Sequence, residues 1–96
     1  MHTTLNYSPN FETKKRKKNK IKFIVLHYTG MKKESEAIER LTNINSKVSS
    51  HYLIKNNGEI VLMVPDLYPN IQLEFKLATL AITMTIKHFL KVRFNL

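Results

Sequence analysis

The sequence has no cysteine. A disulfide framework and a thiolate metal centre are therefore excluded, and any transition metal would have to be held by His, Asp or Glu. Tryptophan is also absent, and no glycine follows Gly58. Acidic residues are scarce, at seven Asp and Glu against sixteen Lys and Arg, which gives a formal charge of +9. Long apolar runs are missing too. The most apolar late stretch, Leu77–Ile86, is bounded by Lys76 and Lys87 and falls short of the roughly 20 residues that span a bilayer. The opening residues, MHTTLNYSPNFE, are polar and lack the apolar core of a secretory signal. The expectation is a soluble, cytoplasmic chain without a membrane span.

With 96 residues, one small domain with a modest core is the upper bound. Much of the positive charge lies in Lys14–Lys22, KKRKKNKIK. Such a run reads as a solvated segment that attracts polyanions non-specifically, nucleic acid included. Residues 1–20 are accordingly expected to form a basic, flexible arm. No aromatic-interleaved basic motif or helix-turn-helix pattern argues for specific nucleic-acid recognition.

Ile21, Phe23, Ile24, Val25 and Leu26 form an apolar, β-branched run of strand length. Its near-continuous apolarity predicts a strand covered on both faces. Thr29-Gly30 ends it. In Glu34–Leu41, ESEAIERL, Ala37, Ile38 and Leu41 share one helical face, and Glu36 lies one turn before Arg40. His51–Ile54 and Glu59–Val64 read as strands joined by Asn56-Asn57-Gly58, whose residue types suit positive φ. Pro65 closes that hairpin. Further on, Ile82, Met84 and Ile86 alternate with Thr83 and Thr85 as a strand would, while Leu77, Leu80, Ala81 and Met84 also suit a helix. Periodicity leaves both open.

His27 sits at the carboxyl end of the first predicted strand, where open sheets commonly place ligands and metals. Taken alone, a histidine there is more often hydrogen-bonded structure than a ligand. The segments Val25-Leu26-His27-Tyr28-Thr29-Gly30 and Val48-Ser49-Ser50-His51-Tyr52-Leu53-Ile54, followed by the glycine hairpin, change that balance. With Ser8-Pro9-Asn10-Phe11 before them, they resemble the zinc-dependent N-acetylmuramoyl-L-alanine amidases, which also look similar to phage amidase-type lysozymes and peptidoglycan-recognition proteins. The resemblance covers roughly Tyr7 through Leu67. It implies a mixed α/β sheet, peptidoglycan or muropeptides as substrate, and a periplasmic or secreted location as the alternative to the cytoplasm. It marks His27 as a zinc ligand. Tyr28 and His51 become candidate substrate-binding residues, His51 as a structural or site-wall residue in preference to a ligand, and Tyr28 with core packing as its rival role.

A catalytic zinc needs three protein ligands and an open position for water. The resembled family carries an Ala-Trp-His-Ala-Gly segment, a Ser-Ile-Gly-Ile-Glu strand with the catalytic glutamate, and later ligands; none of these has a counterpart here. Zinc is therefore expected to bind weakly or not at all. Residues 70–89 can be back-translated through permitted codons into a shifted frame that reads Tyr-Ser-Ile-Gly-Ile, then Gln or a stop, and later Gly-His-Asn-Tyr. This resembles the family's own strand, and it predicts an out-of-frame tail over residues 68–96. The expected fold is α/β: a partial amidase-type mixed sheet with one packed helix in residues 21–67, then a tail unrelated to the family fold. The expected function is that of a truncated amidase-family protein, inactive alone. The alternatives are a non-catalytic peptidoglycan-binding module and a small basic nucleic-acid-binding protein.

Overall fold

The computed structural model describes residues 3–31, 33–71 and 79–84. In chain order the elements are β1 (Thr3–Leu5), β2 (Phe23–Tyr28), α1 (Glu34–Thr42), β3 (Tyr52–Ile54), β4 (Ile60–Leu62) and β5 (Thr79–Met84), with short 3-10 turns at Lys18–Lys20 and Ile44–Ser46. The five strands form one mixed sheet in the order β1-β4-β3-β5-β2. It is the α/β arrangement that the sequence predicts, with one helix packed on it.

α1 forms where three apolar residues fall on one face. Ala37 is buried, and Ile38 and Leu41 pack on a cluster of Leu53, Val61 and Met63. Glu34 and Glu36 lie in the first turn and Arg40 in the last, which complements the helix dipole. Thr42 Oγ1 donates to Ile38 O at 2.7 Å, and the Asn43 side chain accepts from the Asn45 N–H at 2.8 Å. Those two bonds end the helix and start the following turn.

β3 and β4 are antiparallel, with Leu53 opposite Val61. Their turn is closed by Gly58 N–H donating to Lys55 O and Lys55 N–H to Glu59 O, each at 2.9 Å. Asn57 Oδ1 accepts from the Glu59 N–H at 2.9 Å. Gly58 has φ +88°, a value that glycine adopts without a Cβ penalty.

Two expectations are corrected. First, β2 is not covered on both faces: Phe23, Ile24, Leu26 and Tyr28 are all exposed. β5 lies between β2 and β3, parallel to both. β2 is thus a sheet edge about 10 Å, two strand spacings, from β3, while the apolar face of α1 packs on β3 and β4. Second, residues 3–20 are not a free arm. β1 pairs in parallel with β4, Ser8, Asn10 and Arg16 are buried, and the Arg16 N–H donates to Leu67 O at 2.8 Å. The lysines and Asn19 of the basic run are exposed. Within the tail, residues 79–84 are described and join the sheet. β5 takes an inner position, with Ala81, Thr83 and Met84 buried, and of the two periodicities it is the strand that forms. Leu77 and Ile86, named in those periodicities, lie outside the described residues.

Candidate functional site

His27 is the penultimate residue of β2 and is exposed. Its register partners are Thr83 on β5 and, through Thr83, Leu53 on β3. Residues in one register row share a face, so His27 lies on the face that carries α1, at the far edge from the helix. Tyr28 falls on the opposite face, in the row of Met84 and Ile54. The chain turns away just beyond: Thr29 N–H donates to Met84 O at 3.1 Å, Met31 N–H donates to Thr29 Oγ1 at 3.3 Å, and Gly30 has φ +69°.

His51 has a different environment. It is fully buried. Its Nδ1 accepts from the Ala81 N–H at 3.0 Å, so the ring proton of the neutral form sits on Nε2, which donates to Tyr68 O at 2.8 Å. Both ring nitrogens are therefore engaged. Arg16 Nη2 lies 3.3 Å from Nε2, but two donors facing each other make no hydrogen bond in this tautomer. Burial pushes the His51 pKa below its ordinary value, the bond to Tyr68 raises it, and the Arg16 charge lowers it further.

A pH dependence follows from that shift. Above about pH 6.5 the imidazole is neutral in both folded and unfolded chains, and its contribution to stability is complete. As pH falls below that value the unfolded chain binds a proton that the folded chain refuses. Stability then declines toward the folded pKa, by at most about 1.4 kcal/mol per pH unit. Urea midpoints measured between about pH 7.5 and 5.5 should fall with pH, and the slope should vanish in His51→Gln. A flat profile in the parent chain would contradict the buried neutral ring.

Arg16, unremarked in the sequence, is the neighbour that organises this region. Its Nε and Nη2 donate to Asp66 O at 3.1 and 2.8 Å. Burial lowers its pKa and the Asp66 charge opposes the change. The Tyr52 hydroxyl donates to Asp66 Oδ1 at 2.6 Å; burial first, then that bond and the carboxylate charge, push the Tyr52 pKa to about 12. The signal available in the sequence was a single arginine inside a lysine run. A guanidinium forms several fixed hydrogen bonds where an ammonium stays hydrated.

A sequence profile described as N-acetylmuramoyl-L-alanine amidase matches residues 17–72, more than half of the chain. The chain belongs to the N-acetylmuramoyl-L-alanine amidase family. No match to a curated protein or to a solved structure is found. The amidase match spans β2, α1 and the β3–β4 hairpin, and it contains His27, Tyr28 and His51.

A catalytic zinc would need three converging donors. Among the described residues no group of three or more His, Asp or Glu side chains could hold a metal. The row neighbours of His27 are Thr83 and Leu53, and both nitrogens of His51 are already bonded. The described residues do not fit the zinc of the family. No helix among them is long and apolar enough to cross a membrane.

Proposed function

We infer that this chain is an amidase-family domain that keeps the ligand position His27 and the substrate-side position Tyr28 but does not hydrolyse muramoyl-peptide bonds by itself. The family reaction is zinc-dependent cleavage of the amide between muramic acid and L-alanine in peptidoglycan. Hydrolysis of that bond requires a held metal, a general base for the water and charge stabilisation at the developing oxyanion. The observations that support the reading are the row neighbours of His27, which are Thr83 and Leu53, and the engagement of both His51 nitrogens, in an amidase-family chain. The exposure of Tyr28 at the carboxyl end of β2, next to His27 in sequence and on the opposite face of the sheet, favours a second reading, a non-catalytic peptidoglycan-binding module.

Zinc-supplemented protein incubated with purified peptidoglycan should release no stem peptides detectable by mass spectrometry. Calorimetric titration should give only weak zinc binding that a chelator reverses. Release that disappears with chelator and with His27→Ala would overturn the inactivity. Sedimentation with purified peptidoglycan at high salt tests the second reading, because charge-driven adsorption is screened under those conditions; retention that Tyr28→Ser abolishes would support it.

A further inference from the structure

We propose that the exposed β2 margin of the sheet face opposite α1, together with the lysine segment that leads into it, docks this protein on an anionic lipid bilayer. The register puts Ile24, Leu26 and Tyr28 of β2 on that face, in rows with Ile82 and the buried Met84 of β5, Tyr52 and Ile54 of β3, and Ile60 and Leu62 of β4. Leu5 of β1 joins the row of Leu62. Exposure is high at its two margins, 63 % for Leu5 and 64 % for Ile24, and Tyr52, Ile54, Ile60, Leu62 and Ile82 are half-buried. α1 packs on the other face. The exposed part of the face nearest the lysines is the β2 margin, Ile24, Leu26 and Tyr28, and a contiguous exposed apolar patch marks a site of protein or membrane contact.

The occupant is indicated by charge. Lys14, Lys15, Lys17, Lys18, Lys20 and Lys22 are exposed, and among the described residues none is paired with a carboxylate. The segment runs directly into the β2 margin. Tyr52, a residue of that face, donates to Asp66 Oδ1, and Arg16 donates to Asp66 O. From Arg16 the chain leads through the turn at Lys18–Lys20 directly into β2. The Asp66 carboxylate is already engaged by Tyr52. Fixed cations beside exposed Ile, Leu and Tyr supply the two signals that stable interfacial binding needs, electrostatic attraction and apolar burial. A polyanion without an apolar phase, such as duplex nucleic acid, would use the lysines and leave the strand wet.

The test is co-sedimentation of the full chain with vesicles of phosphatidylcholine alone and of phosphatidylcholine mixed with phosphatidylglycerol. Binding is expected only with phosphatidylglycerol. A Lys17→Gln, Lys18→Gln, Lys20→Gln variant, altered at exposed positions only, should lose about a hundredfold in affinity. Because the chain has no cysteine, Ile24→Cys carries a single solvatochromic label, whose emission should shift to the blue on the anionic vesicles. Equal binding to both vesicle types, or none, would overturn the proposal. So would binding that moderate salt removes without any shift at the label, tighter binding to duplex DNA than to the vesicles, or a stable dimer that shields the label in the absence of lipid.

Discussion

His51→Ala is expected to destabilise the chain by about 3–5 kcal/mol. The ring satisfies two buried backbone groups, the Ala81 N–H and the Tyr68 carbonyl. Leaving each without a partner costs about 1–3 kcal/mol, and the void left by the imidazole adds to that. A domain of this size has about 5–15 kcal/mol in total, so the variant should be marginal or unfolded near neutral pH. The position is costly because several segments meet there. The His51 N–H donates to Ala81 O at 3.0 Å, and His51 O accepts from Met63 N–H at 2.9 Å. One residue thereby joins the start of β3 to β5 and to the end of β4. Denaturant unfolding followed by circular dichroism measures the change. A loss below about 1 kcal/mol would mean that the ring bonds do not form.

The legible parts of the molecule are those whose cause is local. The Asn56–Gly58 turn, the apolar stripe of Ala37, Ile38 and Leu41, and the strand ending at His27-Tyr28 all depend on residues within one or two turns of each other, and all form near the expected bounds. What escaped the sequence depends on distant partners. β1 is three residues, Thr3–Leu5, and has no pattern of its own; the free edge of β4 makes it a strand. In β5, strand and helix periodicities overlap, and pairing to β2 on one side and β3 on the other decides between them. The exposure of β2 could not be read because apolarity says that a face should be covered and does not say whether the helix reaches it. At the candidate site, the position of His27 at a strand end was legible from the sequence. The buried Arg16 was not, since a run of cations reads as solvated until the carbonyl of Asp66 is folded against it.

Removing residues 1–16 is expected to leave no soluble folded monomer, although the amidase match begins only at residue 17. That truncation takes away β1 and its ladder on β4. It also removes the bonds Asn6 N–H to Leu62 O, Ser8 N–H to Met63 O, Glu12 N–H to Pro69 O and Arg16 N–H to Leu67 O, all between 2.8 and 3.0 Å. Asn10 is lost as well. Its buried amide reaches Asn43 O at 2.8 Å and Val48 O at 2.9 Å, holding the linker between α1 and β3 to the N-terminal segment, and Ser49 Oγ donates back to Asn10 O. At about 1 kcal/mol net per bond, and more where a buried partner is stranded, the total approaches the whole stability of a small domain. The exposed β4 edge would then offer unpaired N–H and C=O groups to other chains, so association should accompany unfolding. A point variant separates these effects. Asn10→Ala keeps β1 and forfeits only the two linker bonds, and it should cost about 2 kcal/mol while remaining monomeric. Light scattering and urea midpoints on the two proteins give the answer. A truncated chain that is monomeric and unfolds at the parent midpoint would show that the family-matched residues fold without the segment before them.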